Sequence, residues 1–153
     1  MRINRQAILV FAALLTAAVA AGSAPARDAA KATIPNGVYV VTTTVADLRA
    51  GGVSGPDFNK DVTYTTTLHN GRWYQTQKPN YPDQGPFSGT YAVHGDQVLF
   101  LMLKAGVHGQ NSITAPETVK WSYYNRKLRF KIVQVADPDS KVLYTAHPWV
   151  KIR

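Results

Sequence analysis

From residue 37 onward, the chain is built of short runs in which β-branched, aromatic and aliphatic residues alternate with polar ones. Runs of this length and period, bounded by Gly, Pro, Asn and Asp, are typical of half-buried β-strands. Eight such runs are predicted to be strands, at residues 37–44, 62–69, 72–78, 88–94, 97–103, 118–124, 127–134 and 148–153. Because no long stretch has a helical period, the pattern predicts an all-β domain, either a barrel or a sandwich.

Three connections between the predicted strands are two-residue turns. Asn70-Gly71 is the strongest, because both central positions of such a turn need a positive φ, which Asn and Gly tolerate. Gly95-Asp96 fits a turn with Gly in the first central position, and Asn125-Arg126 is weaker because Arg disfavours left-handed geometry. Long connections alternate with these turns. The order favours an eight-stranded antiparallel up-and-down barrel, with every tight turn at one end and every long loop at the other.

A short helix is predicted between strands 1 and 2. Thr44 and Asp47 resemble a capping box, the segment VADLRA supplies about two turns, and Gly51-Gly52 ends the helix. This segment either lies over the loop end of the barrel as a lid or is a loop that packs well. The sequence leaves both interpretations open.

Two-residue turns also determine which side chains oppose each other across a hairpin. The predicted pairs on the inner face are Tyr64–Gln77, Thr66–Gln75, Leu68–Trp73, Gly89–Met102, Tyr91–Phe100, Val93–Val98, Glu117–Gln134, Val119–Ile132, Trp121–Phe130 and Tyr123–Leu128. The inner face is therefore apolar near the tight turns and polar near the long loops.

An eight-stranded barrel either is filled by its own side chains or holds one small ligand. Buried polar groups without partners cost roughly 1–3 kcal/mol each, which favours water or a ligand near the loop end. The many inward aromatic residues could instead fill the interior. The predicted ligand-binding residues are Tyr64, Thr66, Trp73, Gln75, Gln77, Tyr91, Met102, Glu117, Trp121 and Gln134.

The first residues predict export from the cytoplasm. Arg2 and Arg5 precede an apolar, Ala-rich run at residues 7–21, followed by small-residue A-x-A cleavage sites. The run is shorter than the roughly 20 apolar residues that span a bilayer. We expect a signal peptide at 1–26, a disordered leader at 27–34 and a barrel domain at 35–153. After cleavage, the protein is expected to be secreted or in the cell envelope, and not an integral membrane protein.

The chain is basic, with a formal net charge of +8, and contains no cysteine. The barrel must therefore be stable without disulfides. If the predicted register holds, five cations share the outer face of the last three strands: Lys120, Arg129, Lys131, Lys151 and Arg153. This face is either a solvated charged surface or a contact for an anionic envelope polymer, while an extracellular location argues against nucleic acid as a partner.

Several of these features occur together in one known kind of protein. Gly37-Val38-Tyr39 opens the first strand, GTYAVHGDQVLF forms a hairpin, and the last strand is basic. With eight strands, these features resemble those of small secreted lipocalin-like barrels of the calycin type, over about residues 35–153. The resemblance implies that the protein carries a small, largely apolar ligand. We expect a binding protein for a small apolar or amphipathic molecule, without catalysis.

Two residues are candidates for an alternative function as a small-barrel cyclase or isomerase: Glu117, the only glutamate in the chain, and the loop residue His108. A half-buried carboxylate can act as an acid or base, although an ion pair with a basic residue of the rim is the structural alternative for Glu117. The histidines lack the spacing of a zinc site, and no G-x-S-x-G, Walker or G-x-G-x-x-G sequence occurs. We therefore expect no metal, no cofactor and no catalytic residues.

Overall fold

The structure, a computed structural model, describes residues 33–79, 86–105, 110–111 and 115–153. The predicted signal peptide and most of the predicted leader lie outside these residues. Within them the helices are α1 (Val45–Ala50) and α2 (Pro138–Thr145). The strands are β1 (Gly37–Thr43), β2 (Val62–His69), β3 (Arg72–Lys78), β4 (Phe87–His94), β5 (Gln97–Ala105), β6 (Gln110–Asn111), β7 (Glu117–Tyr124), β8 (Lys127–Gln134) and β9 (Trp149–Lys151).

Eight of these strands form a closed antiparallel barrel. Around the barrel the order is β1-β2-β3-β4-β5-β7-β8-β9, and pairing of β9 with β1 closes the sheet. The two-residue strand β6 pairs only with the loop end of β5. The predicted up-and-down barrel, with a short helix after its first strand, is confirmed.

The tight turns have the backbone geometry that their residues predict. Asn70 and Gly71 have φ values of 47° and 79°, and Gly95 has a φ of 61°. Asn125 and Arg126 also adopt positive φ, at 48° and 60°, although Arg is an unusual residue for this conformation. The hairpins closed by these turns pair as predicted along nearly their whole length.

A β-bulge at the loop end of β8 corrects one predicted pair. Thr118, rather than Glu117, lies opposite Gln134, because Val133 is an extra residue in β8. The extra residue reverses the direction in which the following side chain points. Gln134 is therefore exposed on the outside of the barrel, and its predicted inward position is wrong.

The last strand also corrects a prediction. Trp149 lies opposite Leu128 and is buried, so the next residue, Val150, points outward and is exposed. Lys151 consequently points to the same side of the sheet as its partner Tyr39, which is fully buried. The prediction that Lys151 shares the outer basic face is wrong.

Helix α1 begins with the predicted capping box. The Thr44 hydroxyl accepts a hydrogen bond from the Asp47 amide, and the Asp47 carboxylate accepts one from the Thr44 amide. This reciprocal pair satisfies amides that have no partner within the helix. Leu48 then packs with Val53 and with Val142 of α2 in a small apolar cluster.

Helix α2 forms in the segment 135–147, where the sequence analysis predicts only a connection. Asp137 caps the helix by accepting a hydrogen bond from the Ser140 amide at 2.8 Å, and Pro138 stands in the first turn, where its lack of an N–H has no consequence. The helix packs against β8, β1 and α1. Its residues Val142 and Tyr144 are buried.

One apolar core fills the tight-turn end and the middle of the barrel. Its buried members are Ile34, Tyr39, Val41, Leu68, Tyr91, Val98, Phe100, Val119, Leu128, Phe130, Val135, Tyr144 and Trp149. Ile34, which the sequence places in the disordered leader, is only 2 % exposed and belongs to this core. Its burial removes apolar surface from water and so ties residue 34 to the barrel.

Candidate functional site

Polar side chains line the inner face of β1, β2 and β3 towards the loop end. We call this set the polar wall; it consists of Thr43, Tyr64, Thr66, Gln75 and Gln77. Each member stands at an inward position of its strand, where alternate residues point to one face of the sheet. The Gln75 amide donates a hydrogen bond to the Thr66 hydroxyl at 2.8 Å, and both residues are buried. The predicted polar loop end is thus present on this side of the barrel.

Two inward polar atoms have no hydrogen-bond partner among the residues that the structure describes: the Thr43 hydroxyl and the Trp73 indole N–H. Both atoms are shielded from solvent, and Thr43 as a whole is only 1 % exposed. Most buried polar groups in proteins are paired, so each exception calls for an explanation.

Apolar side chains surround the Trp73 indole. The ring lies across Gly89 of β4, where an added Cβ would come within 2.8 Å of the indole nitrogen and would collide with the Leu101 carbonyl oxygen. Any other residue at position 89 would therefore disrupt this arrangement. Tyr91 follows on the same strand and face, and Met102 lies opposite Gly89 on β5.

The β5–β9 side of the interior is filled by four rings, which we call the aromatic quartet: Phe100, Phe130, Tyr144 and Trp149. Tyr144 stacks on Phe100 and on Trp149, with ring centroids 5.8 and 5.9 Å apart. Phe130 meets Tyr144 and Trp149 edge to face at 5.3 and 5.1 Å. These are favourable arrangements for aromatic pairs. The quartet belongs to the apolar core, against which Tyr64 and Trp73 on the opposite side also pack.

Glu117 belongs to the filled side. Its carboxylate accepts a hydrogen bond from the Tyr144 hydroxyl at 2.9 Å. Burial raises the pKa of Tyr144 well above its ordinary value, and the neighbouring Glu117 charge adds to the effect. The carboxylate thus takes part in a contact that holds α2 on the barrel.

Of the ten predicted ligand-binding residues, the structure brings seven together around one region of the interior: Tyr64, Thr66, Trp73, Gln75, Gln77, Tyr91 and Met102. Glu117 lies on the filled side, and Gln134 lies outside the barrel. Trp121 lies towards the tight turns, where its indole N–H donates to the Gly95 carbonyl at 3.2 Å. It lies on β7, which does not pair with any strand of the polar wall.

The predicted basic face is present in part. Lys120 lies opposite Lys131, and Arg129 is the next outward residue of β8. These three side chains, with the last two residues of α2 and residues 146–148 after it, contribute to the lining of a cleft of about 540 Å³. Arg153 is exposed beyond the end of β9 and does not line the cleft.

Sequence reasoning missed Thr43 and Tyr144. Thr43 is the last residue of β1 and continues the inward series of Tyr39 and Val41, so the alternation contained the signal. The buried position of Tyr144 depends on the formation of α2, and the Asp-Pro pair at 137–138 is typical of a helix start.

Histidine and acidic side chains offer little for metal binding. His147 lies 3.0 Å from the Asp47 carboxylate, and His108 is outside the described residues. Over the described ranges, no group of three or more His, Cys, Asp or Glu side chains is positioned to hold a metal ion.

Neither α1 nor α2, the helices in the described part of the chain, has the length and apolar character needed to cross a membrane. The chain matches no family model, curated protein or solved structure. Its closed eight-stranded barrel is consistent with a lipocalin-like fold.

Proposed function

We propose that the protein binds a small apolar or amphipathic molecule inside the barrel, between the polar wall and the Trp73 indole. The observation that carries this proposal is the buried, inward Trp73 N–H, which has no hydrogen-bond partner among the described residues. Leaving such a donor unpaired costs roughly 1–3 kcal/mol, and a ligand acceptor would recover part of that cost. A binding site is a setting in which a protein retains an unpaired group of this kind.

The neighbouring residues suggest the chemistry of the ligand. Trp73, Tyr91 and Met102 offer apolar surface for a hydrophobic body. The Trp73 N–H calls for a carbonyl, ether or hydroxyl oxygen on that body, because an indole nitrogen donates and does not accept. The Thr43 hydroxyl would meet a second polar group nearer the loops. We therefore propose an amphipathic ligand with at least one acceptor in its apolar part.

The proposed setting is outside the cytoplasm. The basic start and apolar run of residues 1–26 are typical of a secretory signal peptide. A carrier of apolar molecules is useful in such a compartment, because these molecules are poorly soluble in water.

The test compares two tryptophan variants with the unsubstituted protein. Trp73→Phe keeps an aromatic ring and removes the N–H, while Trp121→Phe makes the same change towards the tight turns. The probe is Nile red, an uncharged apolar dye with a carbonyl acceptor, and its emission is measured in a titration. We expect Trp73→Phe to weaken dye binding about three- to tenfold, in line with the loss of one neutral hydrogen bond, and Trp121→Phe to leave it unchanged.

The same variants give a second readout, the thermal unfolding midpoint without dye. Trp73→Phe removes an unpaired buried donor, so the midpoint should stay constant or rise. Trp121→Phe breaks an existing hydrogen bond and should lower it. Equal dye affinities in the two variants, or no dye binding to the unsubstituted protein, would refute the proposed site. If dye binding depends on Trp73 as expected, mass spectrometry of a molecule that co-purifies with the protein would identify the natural ligand.

A further inference from the structure

A second candidate site lies on the outside of the barrel. The cleft of about 540 Å³ is lined by Asp96, by residues 120–122 of β7 and 129–131 of β8, and by residues 144–148. Lys120, Arg129 and Lys131 are exposed, whereas the lining residue Phe130 is buried and belongs to the aromatic quartet. None of the residues of the proposed ligand site lines this cleft, so neither site requires the other.

The cations of this cleft are poorly neutralised. Lys120 and Lys131 are directly opposed across the strands, an arrangement in which like charges destabilise a sheet. Asp96 is the acidic residue of the lining, and it lies 3.1 Å from the Lys120 ammonium group. Arg129 and Lys131 have no acidic partner among the described residues. The lining consequently has an excess of positive charge centred on β8.

The groups available for binding suit a tetrahedral oxyanion. Arg129 has a planar guanidinium whose donors match a phosphate in pairs, and Lys131 adds a compact positive charge two residues along the strand. Ser122, opposite Arg129, contributes a hydroxyl. The volume lies in the range of small-molecule sites, so the cleft has room for more than a bare ion.

We propose that this outer cleft binds a phosphate group carried on a sugar-sized polar molecule. Arg129 and Lys131 hold the phosphate oxygens, and the bound dianion relieves the repulsion between Lys131 and Lys120. The rest of the ligand lies along residues 145–148. Phosphate borne on an envelope polymer and phosphate on a free metabolite share this chemistry.

The test is a titration of the full chain followed by amide ¹H–¹⁵N correlation spectra. The probes are glucose 6-phosphate, inorganic phosphate and unphosphorylated glucose, each at matched ionic strength set with sodium chloride. We expect glucose 6-phosphate to shift the amide resonances of residues 120–122, 129–131 and 145–147. Equal affinity for inorganic phosphate means that the cleft recognises the anion itself; tighter binding of the ester means that the sugar also makes contacts. Tighter binding of the ester supports the proposal, whereas equal affinity would overturn the contact of the sugar with residues 145–148.

Two variants localise the binding. Arg129→Gln removes the guanidinium from the cleft, and Lys127→Gln removes a cation from the same face of β8 outside the cleft. We expect Arg129→Gln to weaken glucose 6-phosphate binding at least tenfold and Lys127→Gln to change it less than twofold, because a hydrogen-bonded charge pair contributes far more than distant screened charge.

Three results would overturn the proposal. The first is equal affinity in the two variants, the second is the same shifts with glucose or with sodium chloride alone, and the third is no shift in the cleft. Dye binding inside the barrel is measured separately, so failure here leaves the internal site unaffected.

Discussion

Tyr144 carries its hydroxyl from α2 into the aromatic quartet, where it donates to Glu117. Burial and the carboxylate together raise the pKa of Tyr144 well above its ordinary value. A phenol whose folded pKa is raised contributes stability at pH values below its ordinary pKa of about 10, and this contribution is lost as the pH rises through the folded pKa. Around neutral pH the hydrogen bond is therefore fully formed.

We predict that Tyr144→Phe lowers the free energy of unfolding by about 1.5 kcal/mol at neutral pH, the contribution of a hydrogen bond to a charged group. The ring stays in the quartet, so the packing is preserved. The control is Glu117→Gln, which keeps an oxygen acceptor for the tyrosine and should cost less. Urea unfolding measures both variants. A Tyr144→Phe protein as stable as the unsubstituted one would show that this bond does not hold α2.

At the scale of elements, the sequence predicts the register of the hairpins well, but it does not predict the bulge in β8 or the direction of the side chains in β9. A two-residue turn such as Asn70-Gly71 imposes a register, and alternation then assigns each side chain to a face. A bulge does not follow from strict alternation: the adjacent apolar residues Ile132 and Val133 interrupt the pattern in β8, but they do not show which of the two is the extra residue. β9 is short, and its phase depends on its partner Leu128. The inward direction of seven of the predicted ligand-binding residues was therefore predictable, while the directions of Gln134 and Lys151 were not.

The contact between α1 and the segment after α2 is sensitive to acid. Asp47 Oδ2 accepts hydrogen bonds from the Thr44 hydroxyl and amide and lies 3.0 Å from His147. The bonds from Thr44, and secondarily the contact with His147, lower the pKa of Asp47. A carboxylate with a lowered folded pKa stabilises the fold above its unfolded pKa, near 3.8. This stability is lost as the pH falls through the folded pKa.

We predict that Thr44→Ala makes the free energy of unfolding decline less steeply as the pH is lowered from about 5 to about 3, because the bonds that lower the pKa of Asp47 are gone. Thr44→Ser keeps the hydroxyl and should retain the original slope. Urea unfolding at a series of pH values measures the slope. Parallel curves for the alanine and serine variants would contradict this role of the capping box.

At the scale of the whole molecule, the two sides of the barrel interior differ in their side chains. The aromatic quartet fills the β5–β9 side, and the polar wall with Trp73 lines the β1–β4 side. The aromatic quartet supplies packing that a barrel without disulfides needs. The lining of the basic cleft shares no residue with the polar wall or with Trp73, so the two proposed sites do not compete for residues.

The three tryptophans of the chain test the central claim in a single spectrum. The indole N–H of Trp121 donates to Gly95 and that of Trp149 donates to Leu143, whereas that of Trp73 has no partner among the described residues. In a ¹H–¹⁵N spectrum recorded during a Nile red titration, we predict that the Trp73 indole resonance moves downfield as it gains an acceptor, while the other two stay in place. A Trp73 resonance that does not move when the dye is saturating would contradict binding inside the barrel.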